Sequence, residues 1–237
     1  MSSTFVIARR QFAAYFNGPV AYIVVCLMLG FLGLFFWQTF FLQGIATVRT
    51  LYDVIPWMML VAAPALTMGL IAEEKRTGSL ELLLTMPVRD SDVILGKLIG
   101  VLGLLVVFLA MTIPYPICVS MFGNLDWGPV WTGYLGLFLQ GAAMLSIGLL
   151  ASSWTDNQIV AFFVALILNF FFWFIDRLLP FLPRGFWTSL MEWISLDYHL
   201  RSMARGVIDT RDVVYFLSIA GFALLLAFRS LESRRWR

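Results

Sequence analysis

Ionisable side chains are scarce in this chain. Of its 237 residues only 13% are Asp, Glu, Lys or Arg, while 61% are hydrophobic. A soluble domain carries about 25% charged and about 45–50% apolar residues. Such an apolar excess cannot be buried in one soluble core of this size, which argues against a water-soluble enzyme or a disordered chain. The net charge of +2 is too small to call for a polyanionic partner such as nucleic acid. Histidine occurs once, at His199, which removes most His-based metal sites. The two cysteines, Cys26 and Cys118, both lie in apolar stretches and read as small buried hydrophobes, not as a disulfide framework. Arg9-Arg10-Gln11-Phe12 faintly resembles a twin-arginine signal, but no A-x-A-like cleavage site closes the long apolar run after it. That stretch is expected to be mature sequence.

The few charges are unevenly placed. Residues 11–48, 54–72, 98–125, 127–155, 157–175 and 213–228 contain none. A charge at the centre of a membrane helix costs roughly 2.5–3.5 kcal/mol. About 20 helical residues cross a 30 Å hydrocarbon core. The expected fold is therefore an all-α membrane protein with a single transmembrane domain over 1–237. Its six spans are expected at about 20–42, 55–72, 98–122, 129–151, 157–176 and 212–229. The loop 43–54 holds Arg49 and Asp53, and Pro114 and Pro116 should kink the end of the third span. Residues 3–16 repeat Phe5, Ala8, Phe12 and Phe16 at spacings of three and four, the pattern of a helix lying in the membrane interface. Residues 185–196 are apolar and helical in period but too short to cross, so they read as re-entrant or interfacial. Six spans put both termini on one side. That side carries ten Lys and Arg residues against six on the other, which favours cytoplasmic termini.

No catalytic constellation or cofactor motif is present. The apolar windows hold no His and no carboxylate, so an intramembrane hydrolase or a proton-coupled carrier lacks its titratable groups. Gly96-Lys97 supplies only part of a P-loop: Ser91 stands where the first Gly should be and Leu98 where the Ser or Thr should be. Asp176 and Arg177 are adjacent and are expected to anchor at headgroup level. Gln140 and Asn169 are the notable polar residues at membrane depth. They fit either interhelical hydrogen bonding or the lining of a substrate path. Gly96-x-x-x-Gly100 and Gly148-x-x-x-Ser152 suit close helix approach.

The distinctive segment is 73–92. Glu73 to Arg76 should continue the second span out of the membrane, and Thr77-Gly78-Ser79 interrupts it. Leu80, Leu83 and Leu84 then give a short helix one apolar face, with Glu81 on another, until Pro87 stops it. Such a helix suits docking into a partner's groove or lying flat on the membrane.

The run A-E-E-K-R-T-G-S-L-E-L-L-L-T-M-P-V at 72–88, followed by Ile94-Leu95-Gly96-Lys97, resembles the signature of ABC-2-type permeases. S-L-D-Y-H-L-R-S-M-A-R-G-V-I-D-T-R-D-V-V-Y-F at 195–216 resembles the region before their last span. The subgroup most similar is the gliding-motility permease subunit, with copper-enzyme-maturation relatives. The resemblance implies the permease of an ATP-driven exporter in the bacterial cytoplasmic membrane. Two cytosolic ATPase chains and a second permease chain, identical or different, would complete it. It implies a coupling helix at about 78–86 and re-entrant helices at about 180–205. Leu80, Glu81, Leu83 and Leu84 would contact the ATPase, Glu73, Glu74 and Arg76 would brace the elbow, and Gly78 would supply its turn. A self-contained channel or scaffold without an ATPase is the alternative that hydropathy alone permits.

Overall fold

The chain is described by a computed structural model over residues 3–44, 47–79, 89–179 and 185–232. The described residues contain helices and no strand. Helix α1 spans Ser3–Asn17, α2 Val20–Gln43, α3 Arg49–Thr67, α4 Gly69–Arg76 and α5 Asp90–Thr112. Helix α6 spans Pro114–Phe122, α7 Trp127–Trp154, α8 Gln158–Leu178, α9 Phe186–Ile194, α10 Leu196–Met203 and α11 Thr210–Glu232. Six stretches are long and apolar enough to cross a membrane: Val20–Leu42, Arg49–Arg76, Ser91–Phe122, Trp127–Trp154, Gln158–Leu178 and Thr210–Glu232. The all-α, six-span architecture expected from charge placement is the one observed. The spans alternate in direction. The ends of α4, α7 and α11 therefore share one face with the starts of α2, α5 and α8, here the terminal face. The ends of α2, α6 and α8 and the starts of α3, α7 and α11 share the opposite, distal face.

Helix α7 is the hub. It packs against α3, α4, α5, α8, α10 and α11, and 83% of its most apolar window is buried. For α11 that share is 17% and for α8 22%, so their outer sides face the surroundings. Glycine makes the hub possible. A methyl group at Gly141 would lie 2.7 Å from Leu105 of α5, and one at Gly148 would overlap Thr67 of α3. Removing side-chain bulk lets helix axes close up, and dispersion contacts replace the hydrophobic effect that is absent in lipid.

Two spans are broken. Pro114 has no N–H to donate, and the third span divides at Ile113 as the prolines suggested. The second span also divides, between Thr67 and Gly69, where only one helix was expected. Pro64, one turn earlier, leaves the Leu60 carbonyl without its ladder donor, and Thr67 Oγ1 turns back onto the Ala63 carbonyl at 2.7 Å. The second span also begins at Arg49, ahead of its charge-free window. Arg49 and Asp53 stand exposed while Leu51, Tyr52 and Ile55 pack inward, so the charges ride on an amphipathic first turn instead of a loop. In the 177–211 segment, α9 and α10 have 9 and 8 residues. At 1.5 Å per residue each reaches only about half of a 30 Å core. Cys26, expected inside, is exposed on α2, because an apolar residue of a membrane helix can face lipid as well as core.

Helix α1 lies along α5. A methyl at Gly96 would meet Ile7 at 2.8 Å, and one at Gly100 would meet Gln11 Cβ at 2.7 Å. The Gly96-x-x-x-Gly100 pair thus receives the N-terminal helix. Ser3 and Thr4 hydroxyls donate to the two oxygens of Asp92, each at 2.9 Å, and the Tyr15 hydroxyl donates to the Leu66 carbonyl at 2.7 Å.

Candidate functional site: the elbow after the second span

Helix α4 carries the second span to the terminal face, and three other helices hold it there. Ser152, near the end of α7, is buried. Its Oγ accepts from the backbone amides of Ile71 and Ala72, each at 3.0 Å, and donates to the Met68 carbonyl at 2.9 Å. One hydroxyl therefore serves backbone groups freed by the break at Met68. The Lys75 ammonium donates to the Ser153 carbonyl, which also accepts from Ser230 of α11 at 2.9 Å. Lys97 of α5, buried, lies with its Nζ 2.5 Å from Glu74 Oε2 and donates to the Leu70 carbonyl. Gln158 at the start of α8 donates to Glu73, which pairs with Arg76 at 3.5 Å.

Thr77 and Gly78 close the elbow. The Thr77 amide and hydroxyl both donate to the Glu73 carbonyl, at 2.9 and 3.0 Å, and Gly78 has φ of +72°. That is the left-handed cap at which glycine is favoured. Of the residues singled out in sequence, Glu73, Glu74, Arg76 and Gly78 lie together here. Leu80, Glu81, Leu83 and Leu84, with most of the expected coupling helix at 78–86, lie outside the described residues. Ser153 and Gln158 carry no signal in the sequence, while Lys97 and Ser152 stand out there only as part of the 94–97 signature and as a small residue; all four belong to other spans.

A second polar set lies towards the distal face. Gln140 of α7 donates to Asp197 Oδ1 of α10 at 3.0 Å, and Arg201 pairs with Asp176 at 2.8 Å. Asp176 is buried, not an exposed headgroup anchor. Its neighbour Arg177 instead lies over the Trp173 ring, 4.9 Å from the centroid. Burial pushes the Asp197 carboxyl up to about 6, with the Gln140 hydrogen bond opposing and the Asp176 charge adding to the rise. His199 Nδ1 sits 2.7 Å from Asp212 Oδ1, and its ring stacks on Tyr215 at 3.9 Å. Asn169 is buried separately, with its amide 3.4 Å from the Met144 carbonyl. Gln140 and Asn169 are thus both buried, but only Gln140 reaches the charged set. His199 of α10 and Asp212 of α11 are brought together across a turn that linear reading could not orient, while Asp197, two residues before His199, faces Gln140 instead.

The family model described as ABC-2 family transporter protein matches residues 37–195. This stretch holds the elbow and the four spans that follow α2. The chain belongs to this ABC-2 family. No curated protein matches the chain. As an ABC-2 family member it is a multi-pass membrane component of an ABC transporter and not itself the catalyst. The family normally works with an ABC ATPase.

Proposed function

We propose that this ABC-2 family chain is the permease subunit of an ATP-driven exporter whose ATPase is a separate cytosolic chain. The terminal face is cytoplasmic, and the membrane is the bacterial inner membrane. Two ATPase copies dock against the helix at 78–86 through Leu80, Glu81, Leu83 and Leu84. A second permease chain, identical or different, completes the membrane pair. Glu73, Glu74 and Arg76 transmit the ATPase motion, and Gly78 turns the chain into the docking helix.

One observation carries this reading. The last turn of the second span is fixed by Lys97, Ser152, Ser153 and Gln158 to α5, α7 and α8. A push on the segment that follows Gly78 would therefore move several spans, not one loop. Packed interfaces convert such small shifts into rigid-body motion. On this reading α9 and α10 are the re-entrant helices, and Gln140 and Asn169 line the path that opens. The similarity of 72–88 and 195–216 to gliding-motility and copper-enzyme-maturation permeases supports motion applied to cargo or to an envelope partner. Affinity purification from the native host tests the reading. An ABC ATPase should co-purify reproducibly, and its consistent absence would favour a channel or scaffold.

A further inference from the structure

A cavity of about 560 Å³ opens on the distal face between the first turns of α3, the 124–129 connection and the end of α10. Its walls are tied together. The Tyr52 hydroxyl donates to the Pro129 and Val130 carbonyls, each at 3.2 Å, and Thr132 donates to the Met203 carbonyl at 2.7 Å. Gly206, at φ +93°, closes the turn after α10 directly over Pro129.

The lining is polar and balanced in charge. Arg49 and Arg205 bring two guanidinium groups, and neither forms an ion pair among the described residues. Arg201 also lines the cavity but is committed to Asp176. Opposite charge comes from Asp53, likewise unpaired, and from Asp126, which accepts from the Gly128 amide at 3.0 Å. Separated fixed charges of both signs in one preformed cavity complement a zwitterion better than a simple anion. Guanidinium favours phosphate oxygens, and a carboxylate favours a hydrogen-bonding ammonium. The cavity also sits at interfacial depth. Trp127, next to Asp126, and Trp131 are both exposed with their rings 6.4 Å apart, as in a membrane aromatic belt.

We infer that this distal cavity binds the phosphoethanolamine headgroup of a membrane phospholipid. The phosphate lies against Arg49 and Arg205 and the ammonium against Asp53. A choline headgroup lacks the N–H donors, and a glycerol headgroup lacks the positive charge, so both bind less well. Native mass spectrometry of the purified full chain tests this with short-chain phosphatidylethanolamine, phosphatidylcholine and phosphatidylglycerol.

The ethanolamine lipid should be retained roughly tenfold better than either rival, a difference of about 1.4 kcal/mol. Arg205→Gln should weaken its retention about tenfold, and Asp53→Asn should abolish the preference over the glycerol lipid. Both side chains are exposed, so folding should survive, and an unchanged melting temperature verifies it. Free phosphoethanolamine is the competing arm. Displacement of the lipid shows that the headgroup alone suffices, and failure to displace it shows that binding also needs the acyl part. Equal retention of all three lipids, or retention and selectivity unaffected by both substitutions, overturns the proposal. The readout needs no ATPase and is independent of the coupling assignment.

Discussion

Lys97 Nζ lies 2.5 Å from Glu74 Oε2, joining the start of the third span to the end of the second, while the same ammonium donates to the Leu70 carbonyl. The lysine is buried and its partner is largely so. Removing one member of such a pair strands the other charge at a cost of about 3–5 kcal/mol. Lys97→Met should therefore lower stability in detergent by about 3 kcal/mol. The double variant Lys97→Met, Glu74→Gln should recover much of that loss. Chemical-denaturation midpoints of the two single variants and the double variant measure the coupling.

Ser152 is the second tie. Replacing it by Ala leaves the Ile71 and Ala72 amides and the Met68 carbonyl without the partner they share. Each stranded buried group costs about 1–3 kcal/mol, so Ser152→Ala should destabilise by at least 2 kcal/mol. Ser146→Ala is the control, because that hydroxyl bonds only one turn back to the Ala142 carbonyl at 2.7 Å. Its effect should stay below about 1 kcal/mol. Equal losses in the two variants would remove Ser152 from the elbow.

Gly100 seats the N-terminal helix. A Val side chain there starts 2.7 Å from Gln11 Cβ and cannot be accommodated without moving α1. Overpacking of this kind typically costs about 1–3 kcal/mol. In a background lacking Cys26 and Cys118, a cysteine at Ala8, which is 4% exposed, should resist a membrane-impermeant thiol reagent. It should become reactive when Gly100→Val is added.

Asp197 should give the protein a distinctive pH response. Burial raises this carboxyl to about 6, so between about pH 4 and 6 the folded state holds a proton that the unfolded chain has released. Stability then falls as pH rises through that window. Asp197→Asn keeps a partner for Gln140 and removes the titration. The variant should be about 3 kcal/mol more stable than the parent at pH 7, with the difference vanishing below pH 4. Denaturation midpoints of both proteins at pH 4, 5, 6 and 7 check the sign.

The spans were legible in sequence because an uncompensated charge in hydrocarbon is expensive, so selection keeps windows such as 127–155 free of it. The break at Met68 was not legible, since Pro64 and Thr67 disrupt the ladder inside a window whose hydropathy never falls. Asp176 was misread for a related reason. Its place beside Arg177 at the end of the fifth span suggested headgroup anchoring, whereas it is buried against Arg201, which comes from α10. The elbow was half legible: Glu73, Glu74, Arg76 and Gly78 are contiguous, but Lys97, Ser152 and Gln158 reach it from three other helices. Spacing reports neighbours along one helix. Partners brought by tertiary packing leave no period.

The central claim is that the segment following Gly78 takes force from a separate ATPase. Co-purification of that ATPase with Glu81→Lys and Leu84→Asp variants tests it most directly, with membrane insertion verified in parallel. The proposed coupling predicts loss of the ATPase and of its stimulated hydrolysis from both inserted variants. Variants that keep the partner and its stimulated activity would contradict it.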